Sequence, residues 1–242
     1  MQLQTSIRKV KSGLLYKIRP LVNFWVAKRT MGHLASIRRY ELEQALRELP
    51  KIGHVLEIGA ESGWQAKALA NRGYVVSAID IQSCNYKTER VWSVTEYDGH
   101  KIPFPDQTFD IVFSSNTLEH IPHLYDFQKE IQRVLKQDGI ACHLLPSSTW
   151  RWWTNITHLL KNWTYPEVHG EHAGGPFNEI AVFSERWWSR FFARTGWVVS
   201  KTKSNRLFYT GESMMDDRLS IKWRARLSRL LGGSCTIYWL RR

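Results

Sequence analysis

The sequence predicts a Rossmann-like, doubly wound α/β fold with a mostly parallel seven-stranded sheet and helices on both faces. Beyond residue 36, apolar runs typical of buried strands alternate with helical patterns. Such alternation favours a parallel sheet with its helices packed on the two sides. The chain has 242 residues, of which 43% are hydrophobic, and this suffices for the core of one α/β unit.

Each element is assigned from its local pattern. A helix containing Ile37, Tyr40, Leu46 and Leu49 precedes the first strand, and its apolar residues recur at helical spacing. Apolar, β-branched runs predict strands at 54–58, 75–80, near 91–94, 109–114, 140–145, 197–201 and 236–240. Further helices are predicted at 64–72, 125–136 and 184–195, and Gly196 ends the last of these.

The most informative stretch is residues 55–64, where a short apolar run meets a glycine turn that opens a helix. Gly59 and Gly63 occupy this turn, and Asp80 ends the next strand about 20 residues later. A strand, a glycine turn and a helix bring backbone N–H groups close to a nucleotide-like ligand, and an acid at that spacing suits its ribose. The glycine turn alone is equally compatible with an ordinary strand-to-helix connection.

A third segment makes the pattern specific. Residues 97–121 contain Pro103-Phe104-Pro105-Asp106 and Leu118-Glu119-His120-Ile121. With the glycine turn and Asp80, residues 52–146 closely resemble the class I S-adenosylmethionine-dependent methyltransferases, in particular their broad small-molecule "type 11" group. The resemblance implies S-adenosylmethionine as cofactor, and it implies that the last strand, 236–240, inserts antiparallel beside its predecessor.

The same resemblance implies a set of cofactor-binding residues. Glu57, Gly59 and Gly63 would hold the methionine end, Asp80 the ribose hydroxyls and Asp98 the adenine amino group, with Ala60, Ile81, Gly99 and Asn116 completing the set. The segment 116–120 would line the mouth through which the methyl group is transferred.

One residue departs from the family pattern. Glu61 stands where the family has a glycine, and a glutamate at positive φ is strained. A carboxylate facing the sulfonium would help cofactor binding, whereas one facing the methionine carboxylate would oppose it. A non-catalytic binding protein with a degenerate turn is therefore one alternative.

Residues 147–176 interrupt the alternation and form a predicted lid insertion at the carboxyl edge of the sheet, where ligands of such folds bind. The aromatic residues of this insertion are Trp150, Trp152, Trp153, Trp163 and Tyr165. Flat aromatic faces suit sugar rings, isoprenoid tails or planar aromatic acceptors, and they equally suit packing on the sheet.

Three histidines are candidates for a base that takes the proton of a hydroxyl acceptor: His120, His169 and His172. No metal site is predicted, since His-Gly-Glu-His at 169–172 lacks the spacing of the zinc-binding helix signature. The three cysteines, Cys84, Cys142 and Cys235, form no Cys-x-x-Cys pair and predict neither a disulfide framework nor a zinc site.

The net charge of +12 is concentrated at the two ends of the chain. All 22 acidic residues lie between Glu41 and Asp217. We predict a basic helical extension at 1–36, a methyltransferase domain at 37–242, and within it a basic amphipathic helix at 213–233. Basic helices with an apolar face suit an anionic membrane surface, or they pack on the sheet with their charges in water, which is the favoured interpretation. Nucleic acid is the least favoured partner, because no nucleic-acid module accompanies the charge.

The sequence contains no run of 18 apolar residues, so it predicts no membrane-spanning helix. The basic N-terminus lacks the features of a secretory signal. The expected location is therefore the cytoplasm, with peripheral attachment to the inner face of the membrane as an alternative.

The predicted function is S-adenosylmethionine-dependent O-methylation of a small-molecule or glycan-type acceptor. Methylation of a lipid or lipid-linked sugar at the membrane surface is the competing enzymatic hypothesis. The sequence does not predict an oligomeric state.

Overall fold

A computed structural model describes residues 31–82, 87–212 and 219–242 of the chain. Its seven strands form one sheet in the order β3-β2-β1-β4-β5-β7-β6. The strands are β1 His54–Ile58, β2 Val75–Ile81, β3 Thr95–Tyr97, β4 Phe109–Ser115, β5 Leu135–Pro146, β6 Val198–Ser204 and β7 Cys235–Arg241. Pairing is parallel from β3 through β5, whereas β7 lies antiparallel to both β5 and β6.

The helices lie on both sides of this sheet. They are α1 Met31–Leu46, α2 Trp64–Ala70, α3 Leu124–Val134, α4 Ser148–Asn162, α5 Glu179–Val182, α6 Glu185–Arg194 and α7 Ile221–Leu231, with single 3-10 turns at Lys87–Glu89 and Leu118–His120. No helix in the described ranges has the length and apolar character needed to cross a membrane. The predicted doubly wound fold, including its antiparallel last strand, is confirmed.

Two apolar layers enclose the sheet. On one side α3 and α6 contribute Phe127, Ile131, Trp188 and Phe192, all fully buried. On the other side α1 and α2 contribute Leu42, Ala45 and Leu69 to a second cluster. Because both faces are covered, the central strands read as continuous apolar runs in the sequence, which explains why their positions could be predicted.

Some element bounds differ from the prediction. The short strand expected near 91–94 lies at Thr95–Tyr97, where it pairs with the end of β2. The third helix ends at Val134, before the predicted residue 136, because Leu135 already pairs with Phe109 of β4. The basic pattern of residues 7–18, Cys84 and residues 213–218 lie outside the described residues. The predicted domain boundaries stay a prediction.

Helix α7, in the basic amphipathic segment expected at 213–233, packs partly through a basic residue. Arg224, which the sequence pattern places beside the apolar face, is fully buried and donates from Nη1 to the carbonyl oxygen of Phe208 at 3.1 Å. Trp223 and Leu230, which the same pattern places on the apolar face, are 55% and 87% exposed. A buried guanidinium with backbone acceptors satisfies its donors, so the helix packs through Arg224 and turns two large apolar side chains outward.

Candidate active site

The glycine turn at residues 59–63 has the left-handed backbone that its sequence suggests. The φ angles of Gly59, Glu61 and Gly63 are 74°, 49° and 76°. A Cβ atom at Gly59 would lie 2.4 Å from Oγ1 of Thr117, the second residue after β4. Glycine is therefore required at 59 both by backbone conformation and by the close approach of two strand ends.

The N–H groups of this turn are largely bonded within the protein. Gly59 and Ala60 donate to the carbonyl oxygen of Ile79 at 3.0 and 3.1 Å, and Gly63 donates to that of Ala60 at 2.6 Å. Glu61 donates its N–H to Oδ2 of Asp80 at 2.6 Å. The turn curls back onto the end of β2, contrary to the expectation that its N–H groups face a ligand. The N–H groups of Gly59, Ala60, Glu61 and Gly63 are therefore already bonded within the protein.

Glu57, in β1 just before the turn, has a carboxylate that the protein satisfies only in part. The side chain is 1% exposed, and it accepts a hydrogen bond from the backbone N–H of Ala66 in α2. Its Oε2 has no hydrogen-bond partner among the described residues. Burial raises the pKa of Glu57 well above its usual range, and the nearby Glu61 and Asp80 add to the effect. A buried oxygen without a partner at this position fits a bound donor such as an ammonium group.

Asp80 lies at the end of β2 and is 7% exposed. Its Oδ1 accepts the N–H of Ile81 at 2.7 Å, and its Oδ2 accepts that of Glu61. The carboxylate thus fixes the glycine turn relative to β2. Each oxygen retains acceptor capacity, since a carboxylate oxygen accepts more than one hydrogen bond.

Asp98 follows β3 and is exposed, with Oδ1 accepting the N–H groups of His100 and Lys101 at 2.8 and 2.9 Å. These bonds hold the pKa of Asp98 below its usual value. Gly99 has a φ of 83° and packs beside Ile81, so that an added Cβ would lie 3.3 Å from Cγ2 of Ile81. The carboxyl ends of β2 and β3 therefore lie in contact with each other.

Asn116 follows β4 in a left-handed conformation, with a φ of 54°. Its N–H donates to the carbonyl oxygen of Leu144 at 2.9 Å, and its Nδ2 to Oγ of Ser115 at 3.0 Å. Because β1 to β5 run parallel, the glycine turn, Asp80, Asp98 and Asn116 all follow strands at the same carboxyl edge of the sheet. The structure therefore brings together the cofactor residues implied by the sequence.

Arg38 in α1 is a charged residue near the candidate site that the sequence prediction missed. Its Nη1 lies 2.8 Å from Oε2 of the fully buried Glu41. Its positive charge also acts on Glu61 and Glu119, where it opposes the rise in the pKa of each carboxyl. In the sequence Arg38 was one of many bases in a basic segment, and no motif marked it.

The three candidate histidines lie in one region, because the chain after α4 returns to the 3-10 turn that follows β4. The rings of His120 and His169 pack edge to face with centroids 4.7 Å apart. A ring nitrogen of His172 donates to the carbonyl oxygen of Leu118, and its ring stacks on Trp187. The N–H of Glu171 donates to the carbonyl oxygen of Glu119 at 3.0 Å, which fastens the two segments together.

Burial shifts the titration of these side chains. Loss of hydration lowers the pKa of His120, against the opposing charge of Glu171, and it lowers the pKa of His172 in the same way. Burial raises the pKa of Glu119 to about 8. A lowered pKa favours the neutral imidazole, which is the form in which a histidine accepts a proton.

Residues 147–176, the predicted lid, begin with α4. Oγ of Ser147 caps this helix by accepting the N–H of Trp150 at 3.1 Å. Of its five aromatic residues, Trp150 is buried and packs on His169 at 4.7 Å, Trp153 is half-buried and packs on Phe208, and Trp152, Trp163 and Tyr165 are exposed. Of these five, Trp150 is the one seen to pack against a candidate histidine in the part of the chain that the structure describes. The role of the segment as a lid stays a prediction.

Residues 56–143 match the family described as "Methyltransferase domain". The chain is 26% identical over 196 residues to a sterol 4-C-methyltransferase of Caenorhabditis elegans, a match that covers 70% of this chain and 56% of that protein. It is 22% identical over 138 residues to a ubiquinone biosynthesis O-methyltransferase of Rickettsia felis, covering 53% and 50%. The chain thus spans about half the length of these relatives.

Solved structures share the fold over most of the chain. An S-adenosylmethionine-dependent methyltransferase from Mesorhizobium loti superposes with a TM-score of 0.58 at 13% identity, covering 84% of this chain and 98% of that one. One from Aquifex aeolicus superposes with a TM-score of 0.54 at 18% identity, covering 92% and 97%.

The matched region includes Glu57, the glycine turn, Asp80, Asp98 and the Leu118–His120 turn, all of which lie at the carboxyl edge of the sheet. The strand order places an antiparallel β7 between β5 and β6, and the solved methyltransferases share this fold. Over residues 56–143 the chain thus matches the methyltransferase-domain family, and it shares the fold of solved S-adenosylmethionine-dependent methyltransferases.

Proposed function

We propose that this protein transfers a methyl group from S-adenosylmethionine to a hydroxyl oxygen of a small-molecule or glycan-type acceptor that has an apolar face. The observation that carries the proposal is the meeting of the glycine turn and the three histidines at one edge of the sheet. Gly59 lies against Thr117, and His120 follows Thr117 by three residues. A cofactor on the turn is then next to a set of imidazoles.

The residues around the turn fit S-adenosylmethionine. The unpartnered Oε2 of Glu57 suits the methionine ammonium group, the carboxylate of Asp80 suits the ribose hydroxyls, and Asp98 suits the adenine amino group. Arg38 provides a positive charge near Glu61, which offsets the effect of that carboxylate on an anionic methionine end. When bound, S-adenosylmethionine supplies a methyl group already activated on a sulfonium, so the protein contributes positioning and the exclusion of water.

The acceptor side is formed by the histidines and Trp150. A hydroxyl acceptor must lose its proton during transfer, and His120, His169 and His172 are the groups placed to take it up. Trp150 offers a flat ring beside His169 for a sugar or an aromatic ring. The side chain of His120 is 42% exposed, so an acceptor can reach it.

A second candidate is a lipid acceptor taken up at a membrane surface, and the exposed face of α7 favours it. Trp223 and Leu230 lie on that face beside Lys222, Arg226 and Arg229, all exposed, and the guanidinium of Arg226 stacks over the Trp223 ring at 4.8 Å. Apolar side chains next to bases are typical of helices that lie in an anionic membrane interface. The relatives named above act in sterol and ubiquinone chemistry by name, which agrees with an apolar acceptor.

The first test is calorimetric titration of the full chain with S-adenosylmethionine and with S-adenosylhomocysteine. We expect micromolar binding, and we expect Asp80→Asn to weaken it by about 1 to 3 kcal/mol, since the charge-assisted bonds to the ribose are lost. Asp138→Asn in β5 is the matched control, because this exposed residue lies outside the site. Equal affinity in the Asp80 variant would contradict the assigned ribose site.

The second test follows transfer of a labelled methyl group from S-adenosylmethionine to panels of sugars, phenols and lipid-linked acceptors. Transfer to a hydroxyl that falls in His120→Ala without a change in cofactor affinity would support the proposal. If the chain binds no cofactor up to millimolar concentration and transfers no methyl group, the alternative of a non-catalytic binding protein is the correct one.

A further inference from the structure

Three metal-ligand side chains converge beside the cofactor turn, although the sequence predicted no metal site. Glu119, His120 and His169 each direct one ligand atom into a common region, and these atoms all lie within 4.8 Å of one another. Glu119 and His120 come from the turn after β4, and His169 comes from the segment after α4. We refer to these three residues as the Glu–His cluster.

The carboxylate of Glu119 is the independent observation that points to a ligand. The residue is fully buried, and neither Oε1 nor Oε2 has a partner in hydrogen-bond geometry among the described residues, although its own backbone N–H lies close enough to oppose the rise in the pKa of the carboxyl. Nε2 of His120 lies 3.9 Å from Oε1. Buried carboxylates in native proteins are hydrogen-bonded or bound to a cation. The carboxylate of Glu119 therefore indicates a binding site for a hydrogen-bond donor or a cation.

The surroundings hold the cluster in place. Glu179 accepts the N–H groups of His169 and Gly170 on Oε1 at 2.8 and 2.6 Å, and its Oε2 lies 2.7 Å from Nε of the buried Arg151. The ring of His169 is packed between His120 and Trp150. Because these hydrogen bonds and ring contacts already fix the ligand side chains, a cation would bind with a smaller loss of side-chain entropy.

We propose that Glu119, His120 and His169 bind a divalent transition-metal cation, of which Zn²⁺ is the best match. Two imidazole nitrogens and one carboxylate oxygen suit Zn²⁺ and disfavour Mg²⁺, which prefers oxygen ligands. Bond lengths of about 2.0 to 2.2 Å require the ligand atoms to move together by about 1 Å from their present spacing. Three protein ligands leave a further position open, a pattern typical of catalytic zinc.

The open position would serve a hydroxyl acceptor, because the side chain of His120 is partly exposed. A hydroxyl bound to the cation would lose its proton near neutral pH, and because His120 and His169 would then be ligands, the proton would pass to His172 or to solvent. This use of the cation rests on the proposed function, whereas cation binding itself does not.

The experiment is calorimetric titration of the chelator-treated full chain with ZnCl₂, without S-adenosylmethionine or acceptor. We expect one equivalent to bind with micromolar or tighter affinity. His169→Phe, which keeps an aromatic ring against Trp150 and removes both ring nitrogens, should weaken binding at least about tenfold, as should Glu119→Gln. Circular dichroism of each variant shows whether it is folded.

His100→Phe is the matched control, because His100 and His123 form a second histidine pair with centroids 4.1 Å apart. It should leave zinc affinity unchanged. Absorption of the Co²⁺-substituted protein gives a second readout, since the visible bands of a site with two imidazoles should disappear in His169→Phe. No binding below millimolar zinc, equal affinity in folded His169→Phe, or loss of binding only in His100→Phe would overturn the proposal.

Discussion

Glu61 adopts a left-handed backbone conformation in the middle of the glycine turn, with a φ of 49°, and its side chain is exposed. Its pKa is raised because the carboxylate is partly desolvated and lies near Asp80, although Arg38 opposes this. Glu61 therefore has a strained backbone and a carboxylate close to the negative charge of Asp80. Since its side chain is exposed, no packing contact requires a glutamate at this position.

Replacing Glu61 by glycine should stabilise the protein. A left-handed conformation costs a residue other than glycine about 1 to 2 kcal/mol, and the greater freedom of glycine in the unfolded chain returns part of this. We expect Glu61→Gly to raise the free energy of unfolding in urea by up to about 1 kcal/mol. Glu61→Ala is the control, since it removes the carboxylate and keeps the strain. A glycine variant no more stable than the alanine variant would show that backbone strain at 61 is negligible.

His143 predicts a pH dependence of stability. The side chain is fully buried in β5, its Nδ1 lies 2.8 Å from Oγ of Ser114, and burial lowers its pKa from 6.5 to about 3. At pH values between about 3 and 6.5, the His143 imidazole is therefore protonated in the unfolded chain and neutral in the folded chain. The stabilising contribution is complete above pH 6.5 and is lost as the pH falls towards 3.

We expect His143 to account for a loss of about 2 kcal/mol in the free energy of unfolding between pH 7 and pH 5. Urea titrations at the two pH values measure it, and His143→Gln, which has no group titrating in this range, should show a loss that is smaller by that amount. The same pH dependence in both proteins would mean that His143 is protonated in the folded state.

At the scale of elements, the contact between residues 169–172 and the Leu118–His120 turn organises the acceptor side of the site. Gly170 lies so close to this turn that an added Cβ would be 2.8 Å from the carbonyl oxygen of Glu119. That oxygen also accepts the N–H of Glu171. The approach of two backbones, rather than a special φ, is what requires glycine at 170.

Gly170→Ala should therefore separate the two segments. We expect a loss of about 1 to 3 kcal/mol in the free energy of unfolding, as for other overpacked sites, and faster hydrogen exchange at the Glu171 amide. Gly174→Ala is the matched control on the same segment, because nothing lies within 4 Å of its added Cβ. If both variants exchange and unfold alike, the segment is not held by this contact.

The elements differ in how far the sequence predicts them. Strands β1 and β4 are largely buried apolar runs and β2 is buried in its second half, and the positions of all three were predicted to within one residue. Strand β3 has only three residues, of which Tyr97 alone is buried, so its position depends on pairing with β2 rather than on composition. The packed face of α7 was left open by the sequence, because hydrophobic periodicity assigns arginine to the solvent side and cannot foresee the backbone acceptors that bury Arg224.

At the scale of the whole molecule, the charge and the exposed apolar residues of α7 lead to a prediction about membranes. If this face enters an anionic interface, the double variant Trp223→Ser, Leu230→Ser should reduce binding of the full chain to vesicles of phosphatidylglycerol at least about tenfold, since two large side chains lose their apolar burial. Co-sedimentation at low and high salt measures this, and salt should weaken the wild-type interaction.

The matched control is Val75→Ser, Val198→Ser. These valines are 65% and 61% exposed. They are the first residues of β2 and β6, so they lie at the amino edge of the sheet, opposite the carboxyl edge that holds the candidate site. Their substitution should leave vesicle binding unchanged. Wild-type binding in the α7 variant would show that any membrane attachment uses another part of the chain, and the absence of binding by the wild type would remove the lipid-surface hypothesis.

The sequence by itself predicted the alternation of strands and helices, the glycine turn and the resemblance to a methyltransferase family, because these depend on local composition and on the spacing of residues within one segment. It also identified the three histidines, although as separate candidates. Only the tertiary structure decided that Glu119, His120 and His169 meet, that Arg38 acts on the same site, and that α7 turns Trp223 and Leu230 outward. These features depend on contacts between segments about 50 or more residues apart, or on which face of a helix packs, and local patterns do not encode either.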